Sequence, residues 1–268
     1  VELDLQRLAG SGVQFHFDLT VDADAARWLL ADFDAVFLGL GLNGEQRLAV
    51  PGSDAAGVFS ALDLLTAARP VQHGEKGLSF CGKTVVVVGG GNVALDAAVV
   101  SKRLGAAQVI VLYRRGKDEM PAWESEYLEA CSLGVEFRWL SVVQQVLCQA
   151  GRAASVQVGR TRYVKEATGD RRWVEADPAQ PVYEQRCDIV VLALGQRLDA
   201  DFLPAFGLPA GEGLLAVELG SFQTRRPGVF AGGEAVSGGA TIVACVSAGM
   251  AAGREIHAWL AAGGKRHG

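Results

Sequence analysis

The stretch Thr84-Val-Val-Val-Val-Gly-Gly-Gly-Asn-Val-Ala-Leu-Asp96 decides the fold of this chain. Its first five residues, 84–88, form a continuous run of β-branched side chains, which is typical of a strand buried on both faces of a parallel sheet. Three glycines follow, and the run from Val93 to Arg103 then has the composition of a helix. A strand, a glycine turn and a helix in this order predict a βα unit.

The glycines are spaced as Gly89-x-Gly91-x-x-Ala94, which is the form of a dinucleotide-binding turn. Gly89 is expected to make the tight turn, Gly91 to let the backbone approach a pyrophosphate, and Ala94 to let the helix pack on the strand. The free N–H groups near Asn92 and Val93 would then hold the phosphates. The alternative is a tight βα turn without a ligand, but the strand and the helix that flank it favour nucleotide binding.

The end of the next predicted strand, residues 107–113, bears on which nucleotide is bound. In NAD-binding proteins a carboxylate about twenty residues beyond the glycines binds the ribose hydroxyls, whereas an arginine there accommodates a 2′-phosphate. This strand is followed by Arg114-Arg115-Gly116-Lys117, with no carboxylate before Asp118. The guanidinium group suits phosphate because of its fixed charge and paired donors. The sequence therefore favours NADP over NAD, with a solvated pair of surface arginines as the alternative.

Composition limits the class of protein. The chain has 268 residues, of which 50% are hydrophobic and 21% charged, as expected for a globular chain that buries a large core. A net charge of −5 offers no basic surface for nucleic acid, and the apolar stretch 241–253 is too short to span a bilayer. The five cysteines lie far apart without a C-x-x-C pair, which argues against a metal site or a redox dithiol. We therefore expect a cytoplasmic protein that binds neither membrane nor nucleic acid nor metal.

The segments on either side of the central unit predict further strands and helices. Before it, we expect strands at 12–17 and 34–41, helices at 24–32 and 60–68, and a linker at 69–83; after it, a helix at 123–132, a strand at 134–140, an antiparallel ribbon over 142–184 with one turn at Thr168–Asp170, and a buried strand at 187–196. The segment 39–44 also matches G-x-G-x-x-G. Because Pro51 and Gly52 exclude a packed helix after it, we predict a glycine loop there.

The last part of the chain contains a second group of residues suited to a cofactor. Strands are expected at 214–217 and at 228–235, the second of which ends in Gly233 and Glu234. Thr241 to Val243 then open a long helix that reaches Leu260. A carboxylate beside a helix start can bind the hydroxyls of a polyol chain, and the helix start can stabilise negative charge on a neighbouring ring. The alternative is an ordinary βα unit capped by Thr241.

Together these motifs resemble the two-dinucleotide flavoprotein reductases, and above all the glutamate synthase small-subunit group. That group includes the flavin and NADPH part of dihydropyrimidine dehydrogenase and related ferredoxin:NADP oxidoreductase subunits. The resemblance rests on residues 34–41, VVVVGGGNVALD (85–96), VLYRRGKDEMPA (111–122), VVLALGQ (190–196), and VFAGGE (229–234) with Thr241–Val243. It spans nearly the whole chain.

The resemblance implies an α/β fold in which a Rossmann-like, three-layer NADP-binding domain with an antiparallel β-ribbon is inserted in an incomplete FAD-binding domain. Residues 1–72 would be a partial FAD-binding domain and linker, residues 73–198 the NADP-binding domain, and residues 199–268 the C-terminal part of the FAD-binding domain. The family normally begins with an iron–sulfur segment and a first dinucleotide turn for the FAD adenosine, and the chain is expected to enter after both.

The resemblance also implies the residues that contact cofactors. Gly89, Gly90, Gly91, Asn92, Val93 and Ala94 would hold the NADPH pyrophosphate, and Arg114 and Arg115 its 2′-phosphate. Gly233, Glu234, Thr241, Ile242 and Val243 would lie along the ribityl chain and ring edge of FAD, with Gly195 and Gln196 as further cofactor contacts. Where this chain has Glu234 the family has Asp. No side chain is expected to act as acid or base, because the cofactors carry the chemistry.

The function implied is that of an NADPH-dependent flavin oxidoreductase module. It would pass a hydride from NADPH to FAD and electrons onward to an iron–sulfur or catalytic partner, supplied by a second subunit or by a missing N-terminal segment. The alternative from a different class is a truncated NADP-binding module without bound flavin or activity. An NAD(P)-sensing or scaffold subunit has no sequence feature in its favour.

Overall fold

A computed structural model describes residues 2–72, 77–165, 172–209, 213–239 and 241–264. The chain divides into two compact units, which we call the nucleotide unit (residues 45–196) and the terminal unit (residues 1–44 and 197–268). The chain passes from one unit to the other between Gly44 and Glu45 and again between Gln196 and Arg197.

The helices and strands alternate through the nucleotide unit, as expected for an α/β fold. The helices are α1 (Glu2–Gly10), α2 (Ala23–Asp32), α3 (Ala61–Gln72), α4 (Asn92–Arg103), α5 (Glu124–Ser132), α6 (Glu234–Ser237) and α7 (Ile242–Ala261), with 3-10 turns at Lys117–Glu119 and Leu203–Phe206. The strands are β1 (Val36–Leu38), β2 (Gly44–Glu45), β3 (Val58–Ser60), β4 (Thr84–Val88), β5 (Gln108–Leu112), β6 (Glu136–Arg138), β7 (Ser141–Gln149), β8 (Arg152–Lys165), β9 (Arg172–Ala176), β10 (Tyr183–Arg186), β11 (Ile189–Leu192), β12 (Gln196–Arg197) and β13 (Val229–Ala231). None of the helices in the described ranges is both long enough and apolar enough to cross a membrane.

A five-stranded parallel sheet is the centre of the nucleotide unit. Its order is β3-β11-β4-β5-β6, and β4 pairs with β5 over its whole length, from Thr84 opposite Gln108 to Val88 opposite Leu112. The chain leaves β4 toward β5 on one side, whereas β11 lies on the other side of β4. The carboxyl end of β4 is therefore a topological switch point, which is where open parallel sheets bind ligands.

The alternation of side chains along β4 explains the three layers of this unit. Val85 and Val87 share a buried core with residues of α3 and α4, whereas Val86 and Val88 pack in a second core with apolar residues of β7 and β8. Successive residues of a strand point to opposite faces of the sheet, so a run of valines serves both cores at once. Burial of each valine contributes on the order of 1.5–3 kcal/mol. The Rossmann-like three-layer fold is thus confirmed.

The predicted antiparallel ribbon is also confirmed. Strand β8 pairs with β7 on one edge and with β10 on the other, and its distal part, from Thr161 to Lys165, pairs with β9. The turn predicted at Thr168–Asp170 and residues 73–76 of the predicted linker lie outside the described residues.

The terminal unit has a smaller sheet. Strands β1 and β13 pair in parallel, from Val36 opposite Val229 to Leu38 opposite Ala231. Their buried residues share a core with Ala26 of α2 and with the 3-10 turn at Leu203–Phe206. The predicted helix at 24–32, strand at 34–41 and long helix to Leu260 are confirmed within a few residues.

Three sequence-based expectations are wrong. Residues 12–17 alternate in polarity but pair with no strand that the structure describes; the rings of Phe15 and Phe17 instead stack 5.9 Å apart on the surface. Residues 214–217 form no strand; the Leu215 N–H instead donates to the Ala235 carbonyl, which belongs to α6. Helix α3 continues past residue 68 to Gln72, where a linker was expected.

The predicted domain boundaries lie at 72/73 and 198/199, whereas the two structural units divide at 44/45 and 196/197. Residues 45–72 belong to the nucleotide unit because β3 pairs with β11 and α3 shares a core with α4. The assignment of a cofactor to each unit stays a prediction.

Candidate functional site

The turn after β4 requires glycine at its first position. Gly89 has a φ of +146°, and its N–H donates to the Leu112 carbonyl at 3.0 Å. A Cβ on Gly89 would lie 2.2 Å from the Ala193 carbonyl oxygen, just beyond the end of β11. Both the backbone angle and the close approach of two strand ends therefore exclude a side chain here.

The next two glycines differ in what surrounds them. A Cβ on Gly90 would lie 2.4 Å from the Tyr113 ring, so the aromatic ring packs directly on the turn. A Cβ on Gly91 would meet nothing within 4 Å. Gly89 and Gly90 are thus required by the fold, whereas the space above Gly91 is open to a ligand. A turn that binds a pyrophosphate needs both properties, a tight first part and an open position where the backbone can approach the ligand.

Helix α4 begins immediately at this open position. Gly91 is its N-cap and offers no side chain to the first turn. The backbone N–H groups of Asn92 and Val93 have no acceptor among the described residues, and such unpaired donors at a helix start bind anions. The Asn92 side chain is engaged elsewhere, since its Oδ1 accepts from the Trp123 N–H at 3.0 Å. Ala94 is fully buried in the core that includes Val85, as predicted for the position that packs helix on strand.

The arginine pair follows β5, which is the neighbour of β4. The backbone carbonyls of both arginines are held by other parts of the nucleotide unit. Thr161 Oγ1 donates to the Arg114 carbonyl at 2.7 Å, and the Leu140 N–H donates to the Arg115 carbonyl at 3.1 Å. In the part of the chain that the structure describes, neither guanidinium group forms an ion pair. Both cations are therefore available to an anionic ligand.

The loop is closed by two tyrosines. The Gly116 N–H donates to the Tyr163 hydroxyl at 3.0 Å, and that hydroxyl donates in turn to the Glu119 carboxylate. The Tyr113 hydroxyl donates to the Glu119 carbonyl at 2.9 Å. Because the Tyr113 ring also packs on Gly90, one side chain joins the glycine turn to the arginine loop.

The structure brings Gly195 to the same edge of the sheet. It follows β11, has a φ of +107°, and accepts from the Gln46 N–H at 3.0 Å. Gln196 begins β12. The residues predicted to contact a cofactor in this unit thus follow three neighbouring strands, β11, β4 and β5, at their carboxyl ends.

The predicted flavin contacts lie in the terminal unit. Gly233 has a φ of +71° and is the N-cap of α6, so Glu234 is the first residue of a short helix rather than the end of a strand. Thr241 caps α7, and its Oγ1 accepts from the Ala244 N–H at 3.2 Å. Ile242 and Val243 are 84% and 78% exposed. A Cβ on Gly233 would lie 3.9 Å from Cys245 Sγ, so the two predicted elements lie close together.

A cavity of about 340 Å³ lies between α3, α4 and α5 and contains none of the predicted cofactor contacts. Its acidic side chains are Asp96, Glu126 and Glu129. Desolvation raises the pKa of Asp96, and the charge of Glu129 raises it further. Desolvation likewise raises the pKa of Glu126, with the charges of Asp96 and Glu129 as further causes. In the described ranges, no three His, Cys, Asp or Glu side chains are grouped so as to hold a metal ion.

Sequence reasoning missed the groups that hold the arginine loop. Tyr163, Thr161 and Leu140 are separated from it by between about 25 and 47 residues, and none belongs to a recognisable motif. Only the register of the ribbon could have indicated them, since Arg160 lies opposite Ser141, where β7 leaves the loop region.

Comparison with known proteins identifies relatives that match most of this chain. The family model described as pyridine nucleotide-disulphide oxidoreductase matches residues 7–251. The chain is 33% identical to the beta subunit of the NADP(+)-dependent formate dehydrogenase of Moorella thermoacetica, over 97% of this chain and 36% of that subunit. It is 33% identical to the glutamate synthase [NADPH] small chain of Escherichia coli K12, over 94% of this chain and 56% of that relative. The chain thus spans about a third to a half of these relatives, and the resemblance to the glutamate synthase small-subunit group is confirmed.

A solved structure confirms the fold. FprA from Mycobacterium tuberculosis in complex with NADPH superposes with a TM-score of 0.67 over 85% of this chain and 63% of that protein. The two sequences are 18% identical, so this likeness concerns the fold alone.

Proposed function

This chain belongs to the pyridine nucleotide-disulphide oxidoreductase family, a family of NAD(P)H-dependent flavoproteins, and on that premise we propose that it is the NADPH-binding, flavin-reducing part of an electron-entry subunit. The redox chemistry is a hydride transfer from NADPH to FAD, which the two bound cofactors supply. The residues of this chain bind and orient them, so the protein contributes position rather than an acid or a base.

The observation that carries the proposal is the edge of the parallel sheet in the nucleotide unit. The turn is closed at Gly89 and Gly90 but open at Gly91, with unpaired N–H donors at the start of α4 for a pyrophosphate. The loop with Arg114 and Arg115 follows the adjacent strand. Its two guanidinium groups suit the 2′-phosphate that distinguishes NADPH from NADH.

The flavin contacts are proposed in the terminal unit. Gly233 and Glu234 would hold the ribityl hydroxyls, and the N-terminus of α7 at Thr241, Ile242 and Val243 would border the ring. The exposure of Ile242 and Val243 supports a bound group at this surface. Glu234 is the first residue of α6, and Gly233 is the N-cap of that helix. In the nucleotide unit, Gly195 and Gln196 are proposed as further cofactor contacts.

An onward electron acceptor is also proposed. The relatives from Moorella and Escherichia coli are by name subunits of larger enzymes, which supports a partner subunit or a further segment that accepts electrons from the flavin. The cytoplasmic location stays a prediction.

The exposure of Ile242 and Val243 equally favours the alternative, an NADP-binding module without flavin. The two readings differ in one observable property. The purified full chain, mixed with FAD and desalted, is expected to be yellow and to lose its flavin absorbance on anaerobic addition of NADPH. A colourless protein that still binds NADPH would support the module instead.

Cofactor choice is tested by the arginines. The double variant Arg114→Ala with Arg115→Ala is expected to weaken NADPH binding by about a hundredfold, since each lost charged hydrogen bond contributes about 1.5–3 kcal/mol, and to change NADH binding less than about threefold. Isothermal titration with both nucleotides measures this. Equal losses for both nucleotides would contradict the role given to the arginines.

A further inference from the structure

We propose that Tyr113 sets the spacing between the two phosphate-binding parts of the NADPH site, the glycine turn after β4 and the arginine loop (residues 114–119) after β5. It is a positioning residue, because this role needs no contact between Tyr113 and the nucleotide. The inference rests on the proposed function and deepens it, since it names the side chain that lets both anionic groups of NADPH bind at once.

The first observation is the packing of the Tyr113 ring on the glycine turn. A Cβ on Gly90 would lie 2.4 Å from Cδ2, 2.6 Å from Cε2 and 2.8 Å from Cγ of Tyr113, so the ring lies directly against the backbone of the turn. The ring also contacts Trp139 edge to face, with 6.3 Å between the centroids, and only 8% of Tyr113 is exposed. Its position relative to Gly90 is therefore fixed by packing.

The second observation is the hydrogen bond at the far end of the same ring. The Tyr113 hydroxyl donates to the Glu119 carbonyl at 2.9 Å. Glu119 is the last residue of the 3-10 turn Lys117–Glu119, and its N–H donates to the carbonyl of Gly116, the N-cap of that turn, at 3.2 Å. The hydroxyl therefore fixes the turn in which the arginine loop ends.

The chemistry of the ligand explains why this spacing matters. The adenosine half of NADPH carries the pyrophosphate and the additional phosphate on the 5′ and 2′ positions of one ribose, so its two anionic groups are close together and covalently joined. Two joined groups reinforce each other's binding only if the protein presents both sites at a matching distance. A tyrosine side chain has only two χ angles. With its ring on the turn and its hydroxyl on the loop, Tyr113 is suited to fix that distance.

The test is the variant Tyr113→Phe, which keeps the ring on Gly90 and removes only the bond to the Glu119 carbonyl. The loop retains its bonds to Thr161 and Tyr163 of β8. NADPH, which uses both sites, should bind about tenfold more weakly, because a hydrogen bond that fixes the spacing is lost. NADH uses only the glycine turn and adenosine 2′-monophosphate only the arginine loop, so each affinity should change by less than about twofold.

Isothermal titration of the purified full chain with the three ligands measures these affinities. Tyr127→Phe is the matched control, because the Tyr127 ring also contacts Trp139, with 6.1 Å between the centroids, but its hydroxyl bonds to Cys131 within α5. In this control all three affinities should equal those of the wild type. Tyr113→Leu removes the ring as well as the hydroxyl, so it should weaken NADPH binding at least as much as Tyr113→Phe does.

The pattern over the three ligands separates spacing from local damage. A loss confined to NADPH supports the inference. If NADH weakened as much as NADPH, Tyr113 would act on the glycine turn alone; if adenosine 2′-monophosphate weakened as much, it would act on the arginine loop alone. Either result would overturn the inference, and so would an unchanged NADPH affinity, which leaves the proposed function intact. A wild type that binds NADH as tightly as NADPH would overturn the proposed cofactor choice and this inference together.

Discussion

Helix α4 of the nucleotide unit and helix α7 of the terminal unit follow glycine turns, yet they are buried to very different extents. Seven of the 12 residues of α4 are buried, whereas of the 20 residues of α7 only Ala252 is. Most of the exposed large apolar side chains of the described residues also lie in the terminal unit, among them Val246 and Met250 of α7. The two units are thus made of similar elements, but the terminal unit leaves more of its apolar side chains exposed.

The difference indicates where stability and binding reside. In the nucleotide unit, a parallel sheet is covered by helices on one face and by the ribbon on the other, so its apolar residues are buried within the unit itself. In the terminal unit, a two-stranded sheet supports a single smaller core. Exposed apolar surface of this kind marks a place where a ligand or another surface binds. The nucleotide unit should therefore be the more stable of the two.

The glycine turn offers the strongest test of this difference. Gly89→Ala forces a Cβ against the Ala193 carbonyl at a φ of +146°, so it should lower the free energy of unfolding of the nucleotide unit by about 4 kcal/mol. Gly91→Ala is the control, because nothing lies near its Cβ and its φ is −88°. It should change stability by less than about 0.5 kcal/mol but weaken NADPH binding.

Urea denaturation followed by circular dichroism measures the first effect, and isothermal titration the second. If Gly89→Ala unfolded at the same urea concentration as the wild type, this result would contradict the close contact that we describe between the ends of β4 and β11.

Matched truncations in the two helices test the same contrast in packing. Leu95 of α4 is 1% exposed, so Leu95→Ala should destabilise the protein by about 3 kcal/mol through lost burial and a new cavity. Met250 of α7 is 61% exposed, so Met250→Ala should cost less than about 0.5 kcal/mol. Thermal unfolding of both variants gives the comparison. Similar losses in the two helices would mean that α7 is covered in solution.

The carboxyl groups between α4 and α5 make the stability of the nucleotide unit depend on pH. A carboxyl whose pKa is raised on folding binds more protons in the folded state, so stability falls as the pH rises from the ordinary value of 3.8 through the folded value. Asp96→Asn removes this loss. It should stabilise the protein at pH 7 by less than about 1 kcal/mol, because the Asp96 carboxyl is only partly buried and solvent screens its charge, and have no effect at pH 3.

Asp188 provides a control of opposite sign in the same unit. The Thr84 N–H, and then the Lys83 ammonium, lower the pKa of Asp188. Its contribution to stability is present above the ordinary value of 3.8 and is lost as the pH falls through the lowered one. Asp188→Asn should therefore destabilise the protein at pH 7. Denaturation midpoints of both variants at pH 3 and pH 7 measure these effects. If Asp96→Asn and Asp188→Asn changed the stability at pH 7 in the same direction, the opposite pKa shifts given for the two carboxyls would be wrong.

The same contrast explains what the sequence could predict. Strand β4 was predicted residue for residue, because a strand buried on both faces leaves a continuous apolar run. The false strand at 12–17 has the correct alternation but no neighbouring strand among the residues that the structure describes, and pairing is not encoded in a single segment. Tyr163 could not be recognised, since its bonds to Gly116 and Glu119 depend on the register of a ribbon 44 to 47 residues away.

The smallest expected effect concerns the surface of α7 itself. Val246 is 56% exposed, and the substitution Val246→Gln exchanges one exposed side chain for another of good helix propensity, so unfolding should change by less than about 0.5 kcal/mol. Fluorescence of the apolar dye anilinonaphthalene sulfonate should nevertheless fall, because the apolar surface has shrunk. Ala252→Gln on the same helix is the control: Ala252 is fully buried, so the longer polar side chain should destabilise the protein clearly. If Val246→Gln destabilised the protein as much as Ala252→Gln does, this face of α7 would be covered in solution. The apolar side chains of the terminal unit would then be as well buried as those of the nucleotide unit.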